Sequence, residues 1–240
     1  MYSNQASPFG AAFILGLFLA IGLVGSGYLI GAALEHNRAA NRFVSVKGLA
    51  EREVRANLCI WPIGFNVTGN DLVEVQGNIA TLEKTIIEFL KAQGFDASGI
   101  YRSPPQITDY NAREYYGNNR PPNRYMAEST VTLRTQDVEK ARQVMQMSGD
   151  LVKAGVVLQD KYQPLYLYTD LNAIKPEMIA EATRNARQAA ERFAEDSGTR
   201  IGALRNATQG LFSINDRDNY SPDYKQIRVV TTMEYFLVGE

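Results

Sequence analysis

The sequence predicts an α+β domain, with mixed or antiparallel sheets packed by about three helices, behind one transmembrane helix. Three observations predict it. Residues 1–34 contain no charged side chain, and the apolar run 9–34 exceeds the roughly 20 residues that cross a bilayer core. Three later stretches repeat apolar residues every three or four positions, the helical period. The stretches around them are rich in β-branched and aromatic residues and include hairpins, which favours α+β over a purely parallel α/β sheet.

Taken in order, 1–8 is a short N-terminal segment and 9–34 the transmembrane helix. Gly31-Ala32-Ala33 also fits a small-x-small cleavage site. However, no Lys or Arg precedes the run, and the apolar core of a signal peptide is shorter, about 7–15 residues. We read a retained anchor. Ala12, Gly16 and Ala20 recur at four-residue spacing, followed by Gly27 and Gly31, a pattern that lets membrane helices approach closely. Residues 35–42 form a juxtamembrane linker, where His36 reads as an interfacial polar residue. Arg38, Arg42, Lys47 and Arg52 follow the span and nothing basic precedes it, so the positive-inside rule places the following domain in the cytoplasm.

The domain occupies 43–240. A strand over 43–48 ends at Gly48, and a longer one over 55–68 contains Pro62, which argues for a bulge or an edge. Leu72, Val75, Ile79, Leu82, Ile86 and Phe89 make one helical stripe, stopped by Gly94. Residues 100–110 and 124–135 read as paired strands around a polar loop, 111–123. Asp137 is an N-cap for a helix that Gly155 closes. A strand over 156–168 has Tyr162 in its middle. A helix over 176–197 starts at Pro176, buries Ile179, Ala182, Ala186, Ala189, Ala190 and Phe193, and ends at Gly198. Strands over 205–214 and 226–238 close the chain around a polar loop.

Composition narrows function. Lys+Arg number 25 and Asp+Glu 26, so no basic excess points to nucleic acid, and none is expected as a partner. One cysteine, Cys59, and one histidine, His36, exclude an internal disulfide and Cys/His zinc clusters. Cys59 reads as a buried core thiol in a strand. We find no Gly-rich phosphate loop, nucleophile elbow or metal-ligand pair, and so expect no catalytic residue, metal or cofactor. A carboxylate-based hydrolase leaves no reliable trace in sequence. Its candidates here, Asp109, Glu114, Asp216 and Asp218, read as loop solubilisers.

Several segments, in order, resemble the SIMPL-domain family, which includes bacterial periplasmic immunogenic and oxidative-stress-defence proteins. They are Val44-Ser-Val-Lys-Gly48, Arg124-Tyr-Met-Ala127 running into Ser129-Thr-Val-Thr-Leu133, the Ala-rich stretch 179–190, and Arg228-Val-Val-Thr-Thr-Met-Glu-Tyr-Phe236. The chain departs from the family at Ala56-Asn57, where a Pro-Asp pair is usual, and in the 111–123 loop. The resemblance implies an envelope protein without established catalytic residues, some relatives of which assemble into rings.

The expected function is therefore a non-enzymatic, membrane-anchored envelope protein, an oligomeric scaffold or ring, with stress defence as its expected setting. Alternatives are a small-ligand- or lipid-binding envelope module and a hydrolase. The expected location is the bacterial inner membrane, single-pass, with a periplasmic domain, against the charge rule. Expected partners are other copies of the chain, membrane lipid around the N-terminal helix, and an envelope protein. The contact surface is expected in the loop holding Tyr110, Arg113, Tyr115, Tyr116, Arg120, Arg124 and Tyr125. Tyr and Arg dominate binding hot spots, and this stretch contains no Lys.

Overall fold

The computed structural model describes residues 13, 16–29, 42–112 and 121–239. The fold is α+β with antiparallel strand pairs, as the sequence predicts. Residues 16–29 form a helix, α1, with exposed side chains, and Gly16, Ala20 and Gly27 lie on it. Ala12 and Gly31 fall outside the described residues. Among the described residues no helix is long and apolar enough to cross a membrane.

The rest of the chain contributes β1 (Phe43–Arg55), β2 (Leu58–Gly69), α2 (Leu72–Ala92), β3 (Ile100–Arg102), β4 (Gln106–Asp109) and β5 (Tyr125–Thr135). Then come α3 (Val138–Gln146), α4 (Gly149–Lys153), β6 (Leu158–Gln159), β7 (Leu165–Leu167), α5 (Leu171–Asp196), β8 (Arg200–Gln209), β9 (Ser213–Asp216) and β10 (Tyr224–Val238). After α1, which lies within the segment expected to be the transmembrane helix, four α-helices are described where about three were expected, because the stretch after Asp137 breaks into α3 and α4.

The chain divides into two compact units. One comprises Glu51–Pro176 and Phe212–Arg228. Its sheet has strand order β3-β5-β2-β6, with β4 on β5 and β7 on β2. The β2–β5 register runs without a bulge from Cys59↔Thr135 to Gly69↔Tyr125. Alternation then sorts the side chains. Trp61, Ile63 and Phe65 of β2, with Val131 and Leu133 of β5, join a buried core with Val75, Ile79, Ile86 and Leu90 of α2. Pro62, Thr130 and Thr132 occupy the opposite face. Pro62 costs the sheet no hydrogen bond on its outer side, because β7 pairs with β2 over 58–60 and β6 over 64–65. Asp71 caps α2, its Oδ1 accepting from the backbone N–H of Val73 (2.8 Å) and Glu74 (2.9 Å). Asp137 likewise caps α3.

The other unit comprises Met1–Ala50, Glu177–Leu211 and Val229–Glu240. Within it β8 pairs with the C-terminal part of β10 from Thr231↔Gln209 to Val238↔Arg200. Val44, Ala186, Ala190, Met233 and Tyr235 form its core. The buried stripe of α5 is Met178, Ala182, Ala186, Ala190 and Ala194, a strict four-residue spacing. Phe193, expected in that stripe, is 52% exposed.

Several expected boundaries are corrected. β1 runs straight through Gly48, because the glycine marks a close approach to α5 and not a strand end. Ser103-Pro104-Pro105 splits the expected 100–110 strand into β3 and β4. The expected 156–168 strand is β6 and β7 with a turn between them, so Tyr162 lies in a turn. Helix α5 starts at Leu171 and carries Pro176 inside it, not at its first position. The expected 205–214 strand is instead the end of β8 and the start of β9, separated by residues 210–212. Gly94, Gly155 and Gly198 do end helices, each with a positive φ that side chains rarely adopt.

Candidate functional site

The Tyr/Arg loop connects β4 and β5; the residues flanking it form a described stem, and 113–120 lie outside the described residues. Arg124 Nε donates to both Asp109 carboxylate oxygens at 3.2 Å, and Nη2 donates to Oδ2 at 2.8 Å. The same guanidinium lies 4.7 Å from the centre of the Tyr125 ring. Tyr125 packs against the core. The Tyr110 backbone N–H donates to the Arg124 carbonyl at 2.8 Å, and the Tyr110 hydroxyl donates to Met126 Sδ at 3.3 Å. The Asn70 side chain accepts from the Arg124 N–H, and Asn123 Nδ2 donates to Thr68 Oγ1. The hydrogen bond from Arg124 holds the Asp109 carboxyl below the usual carboxylate range.

Of the seven residues expected to form a contact surface, Tyr110, Arg124 and Tyr125 therefore close the stem. Arg113, Tyr115, Tyr116 and Arg120 lie outside the described residues. Pre-ordering a stem lowers the entropy cost of presenting its tip.

The described carboxylates considered for hydrolysis are engaged in ion pairs. Asp109 is held by Arg124, Asp216 pairs with Lys225, and Asp218 accepts from Arg217 Nε at 2.8 Å. Glu114 is outside the described residues. Cys59 is fully buried, and burial pushes its thiol up to about 11, opposite to the shift a nucleophilic thiol needs. Among the described residues no group of three His, Cys, Asp or Glu side chains could hold a metal ion.

Two features escaped the sequence reading. The first is a charged cluster around Tyr224, with Arg217 at 4.4 Å and Arg55 at 5.7 Å from its ring centre. Arg217 also binds Glu53 at 2.6 Å, and Arg55 pairs with Glu139 and with the buried Asp223. Its members come from β1, α3 and the β9–β10 hairpin, so no local spacing announces it.

The second is a cleft of about 280 Å³ on the face of the six-stranded sheet opposite α2. Pro62, Thr130 and Thr132 lie at its base. Ser103 and Pro104, from the break between β3 and β4, flank it on one side. Tyr162, from the turn between β6 and β7, flanks it on the other. Alternation within β2 and β5 was legible and gives the base. The flanking residues depend on the two broken sheet edges, which were expected as continuous strands.

A family model, SIMPL, described as a protein of unknown function (DUF541), matches residues 44–234. No curated protein matches the chain. The match starts in β1 and ends within β10.

Proposed function

We propose, from the premise that the chain belongs to the SIMPL family, that it is a non-enzymatic envelope protein acting as an oligomeric scaffold. In this reading the N-terminal apolar run anchors it in a bacterial inner membrane and the globular part faces the periplasm. The observation that carries the reading is the hairpin stem. Asp109, Arg124 and Tyr125 are spent on holding it closed, a use suited to presenting a contact loop and not to acid–base chemistry. The near-neutral chain, with a formal charge of −1, favours association over mutual repulsion.

Two expected results test it. Replacing Tyr115 and Tyr116 with Ala should weaken assembly by at least about 2 kcal/mol, the usual cost of truncating a hot spot. The thermal midpoint of the domain should stay nearly unchanged, because the stem contacts are untouched. Native mass measured across a dilution series reads the effect, and a wild-type profile in the double variant removes the loop from the interface. Topology is separable. Glu88, on α2, has a side chain 64% exposed, whereas the native thiol Cys59 is buried. A Glu88→Cys variant should therefore react with an impermeant maleimide on intact spheroplasts. Labelling seen only after lysis places the domain in the cytoplasm, as the basic residues after the apolar run would have it.

A further inference from the structure

The face of a sheet that does not meet its helix is usually a plain polar surface. Here it is a walled cleft, and the wall is built at a cost in sequence freedom. A Cβ on Gly64 would lie 2.7 Å from Cδ2 and 3.0 Å from Cε2 of Tyr162. The missing side chain is what lets the Tyr162 ring rest on the strand. Packing of an aromatic ring over a strand glycine fixes the ring, so the aromatic wall is pre-formed.

The polar groups around the ring are uncommitted. Ser103, Gln106, Thr130 and Thr132 all line the cleft. None of their side chains makes a hydrogen bond with another described residue. Gln159 Oε1 is buried and also without a partner among the described residues, and it lies 3.4 Å from where a Gly64 Cβ would be. The charge of the cleft, in contrast, is already balanced. Glu128 is the only ionisable carboxylate among its described lining residues. Gln159 Nε2 donates to Glu128 Oε1 at 3.2 Å, and Lys161 Nζ lies 3.8 Å from Oε2.

These features select a ligand class. Among the described lining residues an anion finds no unpaired cation, and a cation finds the carboxylate already taken. An acyl chain would strip water from threonine hydroxyls without replacing its hydrogen bonds, which is unfavourable. What fits is a neutral molecule with C–H faces for the prolyl and tyrosyl rings and hydroxyl edges for the threonine, serine and glutamine groups. The volume, about 280 Å³, is near the lower end of small-molecule sites, roughly 300 Å³, so it holds a small unit and not a long chain. We propose that this cleft binds a single neutral saccharide ring, free or at the end of a glycan. The proposal is independent of the assembly and topology argued above.

The test uses the full chain in a detergent without a sugar headgroup, since a maltoside would itself compete. N-acetylglucosamine at millimolar concentration is the probe, and saturation-transfer NMR is the readout. Wild-type protein should transfer saturation to the sugar-ring protons. Thr130→Val with Thr132→Val keeps the β-branched shape and removes both hydroxyls, and should reduce affinity by about tenfold or more, one to two lost hydrogen bonds. Gly64→Ala, which dislodges Tyr162, should do the same. If that variant fails to fold, the threonine pair decides alone. No transfer in the wild type, or equal transfer in the wild type and the valine pair, overturns the proposal.

Discussion

Replacing Gly48 with alanine is expected to be the most damaging glycine-to-alanine change among the described residues. The new Cβ would lie 1.8 Å from the Ala182 carbonyl oxygen and 2.4 Å from the Ala186 nitrogen, both backbone atoms of α5. It would also lie 2.8 Å from the Ala186 Cβ. No rotamer change relieves a clash with backbone, so strand and helix must separate. Separation opens the packing around Ala182, Ala186 and Ala190, each fully buried. The Asn185 side chain, which donates to the Leu49 carbonyl at 2.8 Å, would lose its partner as well. Overpacking costs about 1–3 kcal/mol where side chains can adjust. Here the expectation is about 3 kcal/mol or more, a large share of the 5–15 kcal/mol that holds a domain folded. Gly77→Ala is the internal control. It lies within α2, and nothing lies within 4 Å of where its Cβ would go. That change should be neutral or stabilising by about 0.4–1 kcal/mol. Urea unfolding of the two variants should move in opposite directions. Equal midpoints would mean that β1 and α5 do not meet at Gly48.

The second large effect concerns the lone thiol. Cys59 is fully buried in β2, opposite Tyr166 of β7. Burial raises its pKa from 9.0 to about 11. A native-state alkylation rate should therefore fall at least about 100-fold below that of the unfolded chain near neutral pH, since each pKa unit is a factor of ten in thiolate. Steric exclusion adds to this. The pH dependence has a definite sign. The folded state holds the proton more tightly than the unfolded state, so the stabilising contribution is full below pH 9. It is lost as pH rises from 9 to 11. Tyr166 acts in the same direction, its pKa raised first by burial and then by the neighbouring Cys59. Cys59→Val should retain more stability across that window than the wild type does. Rapid labelling of the native protein, or an unchanged alkaline profile in the variant, would refute a sealed thiol.

Gly48 shows how a correct residue can be read with the wrong meaning. From the sequence, a glycine after the alternating Val44 and Val46 looks like the end of a strand. In the fold it is the middle of β1, chosen because a helix backbone passes over it. Pro176 gives the same lesson, since its local preference for a first turn is overridden and α5 begins at Leu171. Tyr162 is a third case. Its β propensity suggested a strand, but a ring resting on Gly64 serves a turn equally well.

By itself the sequence determined the α+β class, helix α2 with Val75, Ile79 and Ile86 on its buried face (Leu72, expected there, is exposed), the long strand β5 and the three glycine helix ends. All of these rest on interactions within a few residues: the 3.6- and two-residue periods, a carboxylate capping the next turn, and a positive φ. The tertiary structure alone decided where β1 meets α5, that Arg124 and Tyr125 close a hairpin stem, and that residues from 53 to 224 gather around one tyrosine. It also decided that the outer sheet face is a cleft. These depend on contacts between residues tens to more than a hundred positions apart. Burial and side-chain pairing at such separations follow from the global register of strands, and a local pattern carries no record of that register.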